Sequence, residues 1–194
     1  IILTMLAVAP AYAAPEENTG GTAQAPALAP EPLYRLRAGL DNCRLVFGGT
    51  KHGRVAYLGG SITASPGWRD LTYDLLKKRF PETDFEFINA GVGGTNSTYG
   101  AFRLQEDVFK RGQIDLLFLE FAVNDDGAPA GDSRRIRAME GIVRHARELN
   151  PNIDILMLYF ADTAKVEAYR KGQVPGVIQD HEKVAAHYGI PVIY

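Results

Sequence analysis

Residues 114–123 read IDLLFLEFAV, an apolar run interrupted only by Asp115 and Glu120. A run of this length without polar alternation reads as a strand covered on both faces, as in a parallel sheet. Similar short strands are read at 54–59 (RVAYLG), 84–90 (DFEFINA), 153–160 (IDILMLYF) and 190–194 (IPVIY). Stretches with helical spacing separate them. Residues 67–80 carry Trp68, Leu71, Leu75, Leu76 and Phe80, with Ser65 as cap and Pro66 in the first turn. Residues 97–110 read as a second helix. Residues 132–150 place Ile136, Met139, Ile142, Val143, Ala146 and Leu149 on one face, behind Asp132 or Ser133 as a cap. Residues 177–189 form a helix that stops at Gly189. Strands alternating with helices imply βαβ units, and hence an α/β fold: a parallel sheet in a three-layer α/β/α sandwich.

The first 32 residues follow other rules. Residues 1–13 (IILTMLAVAPAYA) read as the apolar core of a secretory signal with a small-x-small cleavage pattern at Ala11-Tyr12-Ala13. The run is too short for a membrane span and holds Pro10. The expectation is a secreted or periplasmic protein without stable membrane insertion; a tethered or buried apolar N-terminus is the competing reading. Residues 14–32, rich in Ala, Pro, Gly and Glu, read as a disordered linker. The domain then runs over 33–194, entered by a short helix expected at 33–47. The last strand stops at Tyr194, and a parallel sheet rarely ends within a strand. The sequence is therefore expected to be cut at both ends, the C-terminal part of the domain included. The single cysteine, Cys43, allows no disulfide within the chain and reads as a buried apolar residue. With 21 basic and 23 acidic side chains the formal net charge is −2, which provides no basic field for nucleic acid.

In an open α/β sheet, chemistry gathers beyond the carboxyl ends of the strands. After the first strand comes Gly59-Gly60-Ser61-Ile62-Thr63, after the second NAGVGGTNS (89–97), after the third VNDDG (123–127). A dinucleotide fingerprint fails because Asn96 follows Gly91, Gly93 and Gly94 where a third spaced glycine is needed. No phosphate-binding G-x-x-x-x-G-K-[ST] is present. The G-x-S-x-G elbow fails at Thr63. No cluster of His, Cys and Asp has metal-ligand spacing. Each loop alone could be an ordinary turn. Asp125 and Asp126 read as structural or solvated residues, Trp68 as core, and His52 and His145 as surface residues.

Together the three loops resemble the SGNH, or GDSL-type, hydrolases, a family of serine esterases defined by blocks of residues in separate loops. Gly59-Gly60-Ser61 matches the Gly-Asp-Ser block with Gly60 in the Asp place. NAGVGGTNS matches the block of the oxyanion glycine with Gly94 there. Ala122-Val123-Asn124-Asp125 matches Gly-x-Asn-Asp with Ala122 for the glycine. The resemblance runs from about Arg54 to the end. It implies a flavodoxin-like strand order 2-1-3-4-5. It also implies Ser61 as nucleophile and an oxyanion hole from the backbone N–H groups of Ser61 and Gly94 with the side-chain amide of Asn124. Such acyl transfer needs no metal or organic cofactor. Its implied substrate is a short acyl ester, acetyl first, on a small molecule or a carbohydrate.

The family's fourth block, Asp-x-x-His, has no match within residues 1–194 and is expected past the fifth strand. His181 follows Asp180, but the helical spacing of 177–189 sets His181 beside the sheet. Neighbouring helical residues also point about 100° apart, so Asp180 could not orient that imidazole. His187 has the same difficulty. The alternative to an esterase is a carbohydrate-binding module that keeps the fold without the triad.

Overall fold

The structure is a computed structural model and describes residues 33–194; the expected signal and linker lie outside the described residues. Six strands form one sheet: β1 (Tyr34–Arg35), β2 (His52–Gly59), β3 (Asp84–Gly91), β4 (Leu116–Glu120), β5 (Asp154–Leu158) and β6 (Val192–Ile193), in the order β1-β6-β5-β4-β2-β3. Read from β2 as the first, the five parallel strands run 2-1-3-4-5, the flavodoxin-like order. Register is continuous across the centre: Val55 to Gly59 face Leu116 to Glu120 on one side, and His52 to Gly59 face Asp84 to Gly91 on the other.

The helices are α1 (Asp41–Gly49), α2 (Ser61–Ala64), α3 (Trp68–Arg79), α4 (Ser97–Leu104), α5 (Ser133–Leu149), α6 (Thr163–Arg170) and α7 (Gly176–His187); α4 runs on as a π-helical turn, Gln105–Phe109. Alternate residues of each strand feed opposite faces. Ala56, Leu58, Leu117, Leu119, Ile155 and Met157 pack against α4, α5 and α7 in a largely aliphatic core. Val55, Tyr57, Leu116, Phe118, Leu156 and Leu158 pack against α1 and α3 in an aromatic one. Tyr57 stacks on Phe118 with centroids 4.8 Å apart, and Trp68 meets both rings edge-on. Trp68 thus belongs to the core. Cys43 is buried in the same layer.

The structure corrects the start of the first helix and the cap and inner face of α3, and it adds detail elsewhere. The helix expected over 33–47 begins only at Asp41; before it, Tyr34–Arg35 forms an antiparallel edge strand on β6, so the sheet is mixed. A two-residue strand has no periodicity to read, and what fixes it is the open edge of β6. Helix α3 is capped by Gly67 rather than Ser65: Gly67 has φ +128°, and its N–H donates to Asp70 Oδ2 at 2.7 Å. Its inward face carries Arg69, Thr72 and Leu76, while Leu71 is exposed. Helix α6 was not anticipated, although Asp162 caps it by accepting from Lys165 N at 3.0 Å. Of the two caps considered for α5, Asp132 is the one used, accepting from Arg134 N at 2.9 Å.

Candidate active site

The carboxyl ends of β2, β3 and β4 lie side by side, and the three loops leave from the same edge. Gly59 pairs with Gly91 on one side and with Glu120 on the other. From α4, Arg103 donates to the carbonyls of Ala90 (2.6 Å) and Gly59 (3.0 Å), clamping the ends of β2 and β3 together.

Ser61 opens α2 directly after β2, and its residue is exposed. The short helix is closed by i→i−4 bonds from Ala64 N to Gly60 O (2.9 Å) and Ser65 N to Ser61 O (3.0 Å). Its last carbonyls would otherwise lack donors. Buried Arg69 supplies them, from Nε to Thr63 O at 2.5 Å and from Nη2 to Ala64 O and Ser65 O at 3.3 Å each.

The glycines before Ser61 serve close approach. A Cβ on Gly59 would collide with the Thr63 hydroxyl and stand 2.6 Å from Glu120 O. A Cβ on Gly60 would collide with Asn124 Oδ1. In this chain the Asn124 amide fills the space that a side chain on residue 60 would enter. The Gly93-Gly94 turn lies against Ser61, since a Cβ on Gly93 would be 3.9 Å from Ser61 Cβ. Gly94 has φ +74° with open space around its Cβ position, so its backbone conformation, not bulk, calls for glycine. Asn124 buries Oδ1 without a partner among the described residues, which leaves Nδ2 as the end that can face the cleft Asn124 lines. The structure thus gathers Ser61, Gly94 and Asn124 at one strand edge.

Glu120 ends β4 beneath this cluster and is 1% exposed. Its Oε2 accepts from the Thr63 hydroxyl at 3.2 Å, while Oε1 makes no hydrogen bond among the described residues. Burial pushes its carboxyl up to about 7, against the Thr63 hydroxyl and the nearby Val123 and Gly60 amides, which favour the charged form. A lone charge in an apolar strand was the available signal for this residue.

Asp125 is buried and joins three segments: Oδ1 accepts from Ser97 N at 2.8 Å, and Oδ2 lies 2.9 Å from His181 Nε2. His181 is 1% exposed, and its Nδ1 is buried without a partner among the described residues. The imidazole is thus oriented by Asp125, not by Asp180, and both ring nitrogens face the interior. Asp180 accepts instead from Gly131 N (2.7 Å), Asp132 N (3.0 Å) and Arg135 Nε (2.8 Å). His52, His145 and His187 are exposed. Among the described residues, no group of three or more His, Cys, Asp or Glu could hold a metal ion, and no helix is long and apolar enough to cross a membrane.

The model of the GDSL-like lipase/acylhydrolase family matches residues 57–194. The chain belongs to that family. Family membership accounts for the shared strand order and for the positions of the three loops. Among solved structures, the chain is similar to a two-domain esterase active on acetylated mannans, co-crystallised with mannopentaose: 29% identity and a TM-score of 0.66 over 79% of this chain. The chain spans 41% of the length of that esterase. A catalytic mutant of an acetylxylan esterase from Geobacillus stearothermophilus shares the fold at 14% identity and a TM-score of 0.58, over 73% of this chain and 75% of its own. No curated protein matches the chain.

Proposed function

We propose that this chain carries the nucleophile and oxyanion hole of an exported serine esterase that removes short acyl groups, acetyl first, from carbohydrate. The observation that carries the reading is the juxtaposition of exposed Ser61 with the Gly93-Gly94 turn and Asn124 at the ends of β2, β3 and β4. The esterase on acetylated mannans supports acetyl and carbohydrate as the two halves of the substrate. Export rests on the signal-like residues 1–13.

Ser61 Oγ attacks the acyl carbonyl carbon while a general base takes its proton. The carbonyl oxygen becomes an oxyanion, met by the N–H groups of Ser61 and Gly94 and by Asn124 Nδ2. The C–O bond to the alcohol breaks, the alcohol leaves with the proton, and water then releases the acid from the acyl-serine. The base must present a ring nitrogen to an exposed serine, and buried His181 does not. The resemblance puts it in an Asp-x-x-His block past the fifth strand, so the protein to assay is one that continues through such a block.

In that protein an organophosphonate labels Ser61, and Ser61→Ala lowers ester hydrolysis by more than about 10⁴-fold with the fold intact. A folded Ser61→Ala enzyme with near-normal turnover overturns the assignment. Oligosaccharide binding without labelling or turnover points instead to a carbohydrate-binding module.

A further inference from the structure

Past Asn124 the strand edge opens into a cleft of about 250 Å³, lined among others by Asn96, Thr98, Asp126, Ala128 and Arg134. Asn124 is shared by the cleft and the oxyanion side, so a group bound here adjoins the reacting carbonyl. An acetyl methyl has no use for such a lining. An amide, a hydroxyl, a carboxylate and a guanidinium offer donors and acceptors to hydroxyl groups. Each charged residue of the lining already has a partner, Asp132 with Arg134, Arg135 with Asp180, Asp126 with Lys165, and Asp125 with Ser97 N and His181, which leaves no spare charge for an ion and suits a neutral ligand. The volume lies below the roughly 300–1,000 Å³ of drug-sized pockets and fits one small polar ring.

The wall of this cleft is held in a single shape by buried charge. Arg135, 4% exposed, pairs with Asp180 and donates to the carbonyls of Asp125 (3.2 Å), Ala128 (3.1 Å) and Pro129 (2.6 Å). Lys165, 1% exposed, holds Asp126 Oδ2 at 2.7 Å and Asp162 Oδ2 at 2.6 Å. Asn96 Oδ1 is engaged by Tyr99 N at 3.3 Å, which leaves its Nδ2 to donate. A site fixed before binding loses less freedom when a ligand arrives.

Resting on the reading of Ser61 and Asn124 as an esterase centre, we propose that this cleft is the subsite for the alcohol half of the ester, taking one neutral sugar ring through Asn96, Thr98, Asp126 and Arg134. The test uses the full-length protein. Thr98→Trp fills the cleft from an exposed position on the first turn of α4, and Arg134→Ala removes one donor set. For each, kcat/KM is measured on an acetylated mannooligosaccharide and on 4-nitrophenyl acetate, substrates with one acyl group and two alcohols. The ratio of sugar ester to aryl ester falls at least tenfold in Thr98→Trp and severalfold in Arg134→Ala. A ratio unchanged in both variants overturns the proposal. Binding of mannopentaose and xylopentaose to the Ser61→Ala protein, followed by calorimetry, reads the subsite without turnover. Thr98→Trp weakens that binding tenfold or more. If the wild type hydrolyses no acetyl ester, the esterase reading fails while the binding measurement still decides the subsite. If neither pentaose binds, or Thr98→Trp binds as well as the parent, the subsite is wrong.

Discussion

The turn at 59–64 and the loop at 125–132 leave neighbouring strands of the same sheet, and different forces hold them. The first is fixed by contact. Gly59 and Gly60 bring the backbone against Thr63, Glu120 and Asn124 so closely that no Cβ fits. The second is fixed by charge, with Arg135 on three carbonyls and Asp180, and Lys165 on two aspartates. Close packing means that any added atom must displace a neighbour, yet it leaves Ser61 exposed. Buried ion pairs leave the cleft floor roomy, at the cost that losing one partner strands the other without water. On the proposed reading, a nucleophile needs one fixed geometry, and a sugar subsite needs a rigid wall around open space.

The contrast can be broken most strongly on its charged side. Arg135→Met leaves Asp180 buried without its guanidinium and frees three carbonyls; unfolding by urea should show a loss of about 3–5 kcal/mol. A loss under about 1 kcal/mol means that the loop is held by something else. On the packed side, Asn124→Ala should lower kcat about 10²- to 10³-fold with much less effect on KM. A loss confined to KM assigns Asn124 to substrate binding and not to the oxyanion.

Glu120 tests whether a single buried carboxyl sits easily under the packed turn. Folded, it keeps its proton up to about 7, against an ordinary value of 4.5. Between those values unfolding releases a proton, so stability falls as pH rises through this window and levels off above it. At about 1.4 kcal/mol per pH unit the loss is at most about 3.5 kcal/mol. Glu120→Gln should therefore match the parent near pH 4 and exceed it in melting temperature at pH 8. Parallel stability curves for the two proteins would remove Glu120 from the account. The smallest effect is expected of Gly60→Ala, whose methyl displaces the Asn124 amide. It should lower kcat about tenfold while leaving stability within about 2 kcal/mol, because a displaced donor misses the oxyanion. Full activity in Gly60→Ala would mean that Asn124 has room to move without consequence.

Much of this molecule is legible in one dimension. The apolar runs at 54–59, 84–90, 114–123 and 153–160 and the helical spacings between them report burial that recurs every two or 3.6 residues. With the short run at 190–194, that local signal placed five strands and the three loops at their carboxyl ends; it was the resemblance to SGNH hydrolases that picked out Ser61, Gly94 and Asn124 within them. It was silent on β1, which exists only because β6 has an open edge. It was silent also on the buried ions. Arg135 and Asp180 are 45 residues apart, Asp125 and His181 are 56 apart, and nothing local marks either as half of a pair. The glycine at position 60 shows the division most clearly. The glycine is plain in the sequence, but the Asn124 side chain that fills the space beside it arrives from another strand, a contact that exists only once the sheet has brought the two strand ends together.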